Sequence, residues 1–430
     1  MSAPLKIAVA GLGTVGAGTL ALLKGNAAQI ESRCGRPIVV SAVSARNRDR
    51  DRGVSLAGVA WYDDPVLMAS EADAEVVVEL IGGADGPAKA LCETAIARGR
   101  HVVTANKAML AHHGTALARA AEAAGVTLGF EAAVAGGIPI IKALREGLVA
   151  NRLQRVYGIL NGTCNYILTT MRETGRDFGD VLSEAQSLGY AEADPSFDID
   201  GVDTAHKLAI LASLAFGAPV SFESVYVEGI RHITAMDIEY AEQLGYRIKL
   251  LGLARLSEHG IEQRVHPCMV SKTTAISRVD GVFNAVVAEG DQVGRSVYEG
   301  RGAGGGPTAS AVVADIVDIA MGRRAPTFGV PVSALERRPS APMARHRGAY
   351  YIRLMVADRP GVFADIAAAL RDEGVSMKSV DQRSRSPGES VPVVMTVHET
   401  EEEAMLRALA RIEGINAVME PPRLVRIEEL

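Results

Sequence analysis

Short apolar runs alternate with longer amphipathic segments along the first 130 residues. The run Leu5–Ala10 predicts a buried strand, and a glycine turn and a helical pattern follow it. Four further strand-like runs continue this order, with helical segments between them: IVVSAVS, AEVVVEL, HVVTAN and VTLGFEA. Strands that alternate with helices predict a parallel, doubly wound α/β sheet over residues 1–130.

The glycine turn after the first strand has the spacing GxGxxG, formed by Gly11, Gly13 and Gly16. The first glycine permits a tight turn, the second lets a pyrophosphate approach the backbone, and the third permits close helix–strand packing. Thr14 and Val15 then open a helix whose N-terminus faces the phosphates. We interpret the turn as the NAD(P) site of a Rossmann-type domain; the alternative is a glycine turn with a structural role only.

Basic residues follow the second strand, where an NAD-preferring site has an acid. Arg46 ends the strand, and Arg48 and Arg50 come after it. A guanidinium forms parallel hydrogen bonds with a 2′-phosphate, so these residues favour NADP. Asp49 and Asp51 leave NAD possible, and a solvated loop is the alternative reading of the arginines.

Lys107 follows HVVTAN at the carboxyl end of a predicted central strand. Ligands of open α/β sheets bind at this end, so Lys107 is a candidate site residue or, equally, a solvated lysine.

The pattern changes after residue 130 to longer strands with helices between them, which predicts an α+β domain over residues 131–325. Its first segment, FEAAVAGGIP, combines Glu131 with a glycine turn whose carbonyl oxygens suit a hard cation. A tight connection between domains explains the same residues.

Asn161, Thr163 and Asn165 lie in the turn NGTCN, where they either cap a helix or contact a ligand.

An acidic loop precedes the most apolar helix of the chain, predicted over Gly201–Phe216. Its carboxylates are Glu192, Asp194, Asp198, Asp200 and Asp203. Asp203 and Lys207 are four residues apart and project from one helix face. One interpretation is an intrahelical ion pair with the lysine reaching outward. The other has Lys207 in a cleft as a proton donor positioned by Asp203, with Glu192 and Asp198 available to a substrate ammonium.

Five glycines lie between positions 300 and 306, ahead of a strongly periodic helix. Pro307 suits the first turn of that helix, and the glycines free backbone amides for a cofactor. A flexible hinge is the competing interpretation of this segment, 300–320.

Composition limits the remaining classes of function. The 430 residues, 48% hydrophobic and 22% charged, predict two or three domains. A net charge of −6 argues against a nucleic-acid partner, and the dispersed cysteines favour a reducing compartment. No apolar run suggests a membrane span or a leader, so we expect a cytoplasmic protein with a small-molecule substrate.

The motifs GLGTVG, TANK, NGTCNYIL, LGYAEADPSFDIDGVDTAHK and GRGAGGGPTASAVVAD occur in this order over residues 1 to about 325. Together they resemble the homoserine dehydrogenase family. The resemblance implies reduction of aspartate 4-semialdehyde to homoserine by NAD(P)H, on the route to threonine, methionine and isoleucine. No kinase segment precedes the first strand, which is typical of the family's monofunctional form.

The resemblance also implies roles for individual residues. Lys207 matches the catalytic lysine and Asp203 its partner, and Glu192, Asp198 and Lys107 are expected at the substrate. Beyond the glycine turn and Arg46, the expected cofactor contacts are Lys107, Gly189 and Gly302. Glu131, Val134, Gly136 and Ile138 match a loop that binds a monovalent cation such as Na⁺ or K⁺.

The last eighty residues predict βαββαβ over 349–430, after a Pro/Arg-rich linker over 326–348. DRPGVFADIAAAL is similar to the start of an ACT domain, an amino-acid-binding regulatory module. Asp358, Gly361 and Val362 are then expected to contact an effector, for which the implied pathway suggests threonine. The same sheet edges permit pure dimerisation, and we expect a homodimer or homotetramer.

Two other functions are compatible with this organisation. One is an ACT-bearing Rossmann dehydrogenase acting on a hydroxy acid, which needs a histidine with an acid partner at the hydride site. None of the nine histidines has a convincing sequence context for that role. The other is a non-catalytic amino-acid sensor, which would not need Lys207.

Overall fold

The computed structural model describes residues 3–382 and 389–430. The strands are β1 (Leu5–Ala10), β2 (Ile38–Ser44), β3 (Ala60–Tyr62), β4 (Val76–Glu79), β5 (His101–Thr104), β6 (Leu128–Gly129), β7 (Leu153–Ile159), β8 (Tyr226–Val227), β9 (Tyr246–Ser257), β10 (Gly260–Ser271), β11 (Phe283–Gly290), β12 (Gly294–Arg301), β13 (Arg347–Ala357), β14 (Met377–Asp381), β15 (Ser390–Glu401) and β16 (Arg423–Glu428). The helices are α1 (Thr14–Gly25), α2 (Ala27–Cys34), α3 (Pro65–Glu71), α4 (Pro87–Ala97), α5 (Lys107–Ala124), α6 (Ile140–Lys142), α7 (Gly162–Thr174), α8 (Phe178–Ser187), α9 (Ser196–Ile199), α10 (Val202–Phe216), α11 (Ala235–Gln243), α12 (Gly305–Ala320), α13 (Val362–Asp372) and α14 (Glu402–Glu413).

The first sheet has the order β3-β2-β1-β4-β5-β6, and its strands are parallel. Alternate residues of β1 enter different cores: Ala8 packs with α3, α4 and α5, whereas Ile7 packs with α1, α2 and α12. Both faces of the sheet are therefore covered, as the continuous apolar runs predict. The doubly wound prediction is confirmed, and α12 returns from far along the chain to complete it.

The second sheet runs through the rest of the protein in the order β12-β11-β7-β9-β10-β16-β13-β15-β14, and β8 also pairs with β10. The helix α10 packs on β7, β9 and β10. The C-terminal strands and helices follow the order βαββαβ, as predicted, and α13 and α14 enclose a separate apolar core on one face of their strands.

The segment 326–348 differs from the separating linker that its composition predicts. Phe328 is buried, and the backbone of Ile261 exchanges hydrogen bonds of 2.9 Å with Pro339 and Ala341. Beyond the segment, β16 pairs in parallel with β10. The C-terminal module is thus joined to the middle domain by backbone hydrogen bonds within a continuous sheet. A long-range strand pairing of this kind leaves no local signal in a linker rich in Pro and Arg.

None of the helices in the described parts of the chain combines the length and the hydropathy needed to cross a bilayer.

Candidate active site

Lys207 lies on α10 with its ammonium enclosed by oxygen atoms. The helix is apolar on nearly every side because it is buried between β7, β9, β10 and α5, and Lys207 is only 9% exposed. Its Nζ donates to Asp203 Oδ2 at 2.6 Å and to the Leu160 carbonyl at 2.7 Å. An ammonium has three donors, so the third remains available to another acceptor. The intrahelical pair exists, but the lysine is held in place rather than extended into solvent.

Asp203 is the carboxylate around which the site is built. Besides Lys207, its Oδ2 accepts from Asn161 Nδ2 at 2.9 Å, and its Oδ1 lies 3.2 Å from Lys107 Nζ. Burial by itself raises the pKa of Asp203, but the two ammonium charges and these hydrogen bonds outweigh it and hold that pKa below its usual value. Asp203 therefore stays ionised and fixes both lysines.

Asn161 joins the acidic loop to α7. Its Oδ1 accepts from the Cys164 amide at 2.8 Å, so it caps α7, as one of the two sequence interpretations predicts. Its Nδ2 also donates to Asp198 Oδ1 at 2.8 Å as well as to Asp203. Burial, reinforced by the charge of Asp203, raises the pKa of Asp198. One amide group thus bridges two neighbouring carboxylates by donating a hydrogen bond to each.

Lys107 opens α5, which Asn106 caps by accepting from the Met109 amide at 3.0 Å. The Nζ of Lys107 lies beside Asp203 and 5.7 Å from the ring centre of Phe197. The carboxyl end of β5 therefore contributes an ammonium to the same cleft as α10, which brings Lys107 and Lys207 together as expected.

A buried network that sequence reasoning missed supports this end of the sheet. Glu79 accepts from Thr104 Oγ1 at 2.5 Å and from the amides of Ile81 and Gly82 at 2.7 and 2.9 Å. Asn106 Nδ2 donates to the Gly83 carbonyl at 2.7 Å. The sequence signal that could have indicated this network is Glu79 itself, which ends an apolar strand shortly before the pair Gly82 and Gly83.

The other acids of the loop have different surroundings. Glu192 is exposed, and no described cation lies within ion-pair distance of its carboxylate. Asp194 accepts from the Ser196 amide at 3.1 Å, and Asp200 pairs with Arg231. The loop is therefore divided: Asp198 and Asp203 face the buried Lys207 and the partly exposed Lys107, and Glu192 remains open at the outer side of the loop.

The glycine turn has the packing that a dinucleotide requires. A Cβ at Gly11 would lie 2.3 Å from the Leu80 carbonyl oxygen, and a Cβ at Gly16 would lie 2.0 Å from that of Gly11. No described atom lies within 4 Å of a Cβ built at Gly13, which precedes Thr14 and Val15 of α1. Gly11 and Gly16 thus serve the turn, and Gly13 leaves the space through which a pyrophosphate approaches.

The glycine-rich return closes against this turn. A Cβ at Gly18 would lie 2.9 Å from the Gly305 carbonyl oxygen, so α12 begins in direct contact with α1. Gly302 has equally little room, because its Cβ would lie 2.1 Å from the Asn284 side chain. Asn284 is 1% exposed, and its Oδ1 has no hydrogen-bond partner among the described residues. The close packing of the return opposes the hinge interpretation.

The residues after β2 form an exposed basic surface. Arg46 has no described ion-pair partner, whereas Arg52 Nη1 donates to the Arg50 carbonyl at 2.7 Å. Arg48 and Arg52 lie 6.0 and 5.5 Å from the ring centre of Trp61. Sequence reasoning missed Arg52, which lies in the loop after β2, and Trp61, which lies on the neighbouring strand β3.

The expected cation loop is tightly folded against the glycine-rich return. Gly136 has a φ of 51°, and a Cβ there would lie 2.4 Å from the Gly302 carbonyl oxygen. Both carboxylate oxygens of Glu131 already accept backbone amides, from Ile141 and Lys142 at 2.9 Å. Burial, with the neighbouring charge of Asp315, raises the pKa of Glu131 to about 7. Glu131 thus organises the loop that contains Val134, Gly136 and Ile138.

Two further expected contacts lie away from this centre. Gly189 is exposed in the turn after α8, beside the start of α7, where Thr163 Oγ1 donates to the Tyr190 carbonyl at 2.7 Å. Gly361 precedes α13 with a φ of 96°, between the turn at Asp358 and the buried Val362. The three residues predicted to contact an effector lie together in one loop of the C-terminal module.

Three comparisons identify the family. Residues 139–317 match the description "Homoserine dehydrogenase", residues 11–131 match "Homoserine dehydrogenase, NAD binding domain", and residues 350–414 match "ACT domain". The homoserine dehydrogenases of Pseudomonas aeruginosa and Neisseria gonorrhoeae are each 46% identical to this chain, with 99% of both chains covered. The chain belongs to the homoserine dehydrogenase family. It is an NAD(P)-dependent oxidoreductase with a C-terminal ACT domain.

Solved homoserine dehydrogenases share the fold of all or most of this chain. The crystal structure from Thiobacillus denitrificans has a TM-score of 0.93 at 48% identity, covering 99% of this chain and 98% of its own. A hyperthermophilic archaeal homoserine dehydrogenase in complex with NADPH has a TM-score of 0.63 at 27% identity, covering 77% of this chain and all of its own.

Proposed function

We propose that this enzyme catalyses the reversible reduction of L-aspartate 4-semialdehyde to L-homoserine, preferentially with NADPH, in the synthesis of threonine, methionine and isoleucine. The observation that carries the proposal is Lys207, a buried ammonium with two donors fixed and one free. A non-catalytic sensor would have no use for it.

When bound, NADPH supplies the hydride that reduces the aldehyde carbon. The third donor of Lys207 Nζ is proposed to bind the carbonyl oxygen and to transfer a proton to it as the alkoxide forms. Asp203 holds the ammonium in place and compensates its charge. The products are homoserine and NADP⁺, and Lys207 regains its proton from solvent.

Glu192 and Asp198 are proposed to bind the substrate ammonium, and Lys107 to lie between substrate and cofactor. Glu192 is supported by its open position at the outer side of the loop. The test is oxidation of NADPH at 340 nm on adding aspartate semialdehyde. A hydroxy acid as the preferred substrate would favour the alternative dehydrogenase, and no turnover would favour a sensor.

The NADP preference is supported by Arg46 beside Arg48 and Arg52, a cationic surface suited to a 2′-phosphate. We also propose a monovalent cation in the loop of Glu131, Val134, Gly136 and Ile138, which would contact the Gly302 segment next to the cofactor. Activity measured in Na⁺, K⁺ and tetramethylammonium salts of equal ionic strength tests this. Equal rates in all three would count against the cation.

Threonine is the proposed effector of the ACT domain, bound at the loop of Asp358, Gly361 and Val362. Gly361→Val should remove inhibition by threonine and leave activity intact, because a side chain at a φ of 96° displaces the loop backbone. Gly414→Ala, in the same domain at a φ of −73°, is the matched control. A wild-type enzyme that ignores millimolar threonine would exclude this effector.

The proposed assembly is a homodimer or homotetramer. One outer strand of the ACT sheet, β16, is already paired with β10, so a second ACT domain would have to pair through β14. Met377 and Val380 on β14 are 38% and 42% exposed, which supports that surface. Val380→Lys should weaken association in sedimentation experiments.

The four free, buried cysteines support the cytoplasm as the proposed compartment.

A further inference from the structure

A cleft of about 700 Å³ separates the helices α7 and α11 from the strands β13 and β16 of the ACT domain. Its apolar surface consists of Met171 on α7, Met236 and Ile238 on α11, and Met355 on β13. Methionine side chains adapt to ligands of different shape. The volume is within the usual range for small-molecule sites.

The cleft contains a cation without a counterion. Arg353 and Arg423 are direct cross-strand neighbours on β13 and β16, where like charges repel. Asp237 compensates Arg353, whose Nε lies 2.7 Å from Asp237 Oδ1. Among residues 3–382 and 389–430, no acid lies within ion-pair distance of Arg423. The arrangement favours an anionic group from outside the chain at Arg423.

An acid lies nearby on the same rim. Glu420 precedes β16 and lines the cleft. It lies near enough to Arg353 for its charge to contribute to the raised pKa of that arginine, but no described cation is within ion-pair distance of it. Arg423 and Glu420 are therefore opposite charges without a close partner, and they border an apolar surface. A ligand with a carboxylate, an ammonium and an aliphatic chain would complement Arg423, Glu420 and the apolar surface, respectively.

We propose that this cleft is a second amino-acid site, specific for an L-amino acid with an aliphatic side chain. Arg423 binds the carboxylate, Glu420 binds the ammonium, and the side chain packs on Met171, Met236 and Met355. The site is separate from the loop of the proposed threonine site, and it goes beyond the proposed function.

The elements that line the cleft also connect it to the catalytic centre. Met171 lies in the last turns of α7, and the residue that caps the start of this helix is Asn161, which holds Asp198 and Asp203. Asp237, in the first turn of α11, binds Arg353 of the ACT domain, and α11 packs on α7. A ligand that moves α7 relative to β13 therefore changes the position of the catalytic acids.

The experiment is calorimetric titration of the full-length enzyme with L-methionine and L-isoleucine, with D-methionine as the stereochemical control. At least one L-amino acid should bind at one site per chain and alter kcat. Arg423→Gln should weaken that binding at least about tenfold, because a charge-assisted hydrogen bond is lost. It should leave the basal activity unchanged.

Arg347→Gln is the matched control, since Arg347 is an exposed arginine on the neighbouring strand β13 and lies outside the cleft. It should bind like the wild type, and so should Gly361→Val. Failure of both L-amino acids to bind, or equal affinity in the wild type and Arg423→Gln, would overturn the proposal. Inhibition by threonine that survives in Arg423→Gln would show that the threonine site stands independently of this one.

Discussion

Replacing Asn161 tests whether one amide organises the acids of the site. Asn161→Ser keeps a residue that caps α7 but is too short to reach Asp198 or Asp203. Asn161→Asp also keeps a capping residue, and it replaces the shared amide donor with a third carboxylate. Both variants lose hydrogen bonds of 2.8 and 2.9 Å to ionised groups, and only the aspartate adds repulsion.

The lost bonds set the expected magnitude for the serine variant. Hydrogen bonds to charged groups contribute about 1.5–3 kcal/mol each, so two give a decrease of roughly 3–6 kcal/mol in the free energy of unfolding. The free energy of unfolding should decrease further in the aspartate variant than in the serine variant, and the difference between the two variants should increase with pH. One of its three acids can take up a proton, which near pH 7 costs about 4 kcal/mol for an ordinary carboxyl pKa and less in acid.

Urea denaturation of both variants and the wild type, near pH 5 and near pH 8, measures these differences. The gap between the aspartate and serine variants should widen at the higher pH. In the same preparations, the acidic limb of the pH–rate profile should move to higher pH in Asn161→Asp, because Asp203 then loses its donor and gains a like charge. Equal stability of the two variants at both pH values would refute the idea that Asn161 holds the acids.

Three further changes test other parts of the site. Lys207→Ala should reduce kcat roughly 10²–10⁴-fold, the usual range for a general acid, and Lys207→Arg should not restore it; a near-normal kcat would exclude the proton-donor role. Arg46→Asp should lower kcat/KM for NADPH relative to NADH, and an unchanged ratio would mean that another group sets the preference. His206 is buried beside Phe222, and burial, followed by the charge of His112, lowers its pKa to about 4. Because the unfolded chain then binds more protons, the wild type should lose up to roughly 3 kcal/mol of stability as pH falls from 6.5 to 4. His206→Phe should lack this part of the loss in urea titrations, and parallel pH dependences would contradict the assignment.

The parts of the site that could be predicted from sequence are those set by local chemistry. Asp203 and Lys207 share a helix face because of their spacing, and the GxGxxG spacing identifies the turn at whose Gly11 and Gly16 a side chain would clash with the backbone. The bridging role of Asn161 could not be predicted, because it joins residues 37 and 42 positions away. Capping of α7 was sufficient to explain an asparagine at position 161. Its second function, as a donor to Asp198 and Asp203, depends on the tertiary fold.

The same distinction applies to the fold. Strand β1 has the predicted bounds and β2 ends at Ser44, two residues before Arg46, since apolar runs between turn signals define both strands locally. The pairing of β10 with β16 joins segments more than 150 residues apart, and nothing in either strand specifies its partner. Glu79 was missed for a similar reason, because its partner Thr104 belongs to the next strand.

The shared sheet determines how control by the ACT domain has to be studied. A chain shortened before β13 would expose the hydrogen-bonding edge of β10 over Cys268–Val270. It would also remove Glu428, one of the two counterions of Arg264, which is 2% exposed, and leave Glu262 as the other. An open strand edge promotes aggregation, and removing one member of a buried ionic cluster is costly. Deletion of the domain would therefore measure damage to the catalytic half together with any loss of regulation. Point substitutions that keep both halves intact are the informative way to separate the two.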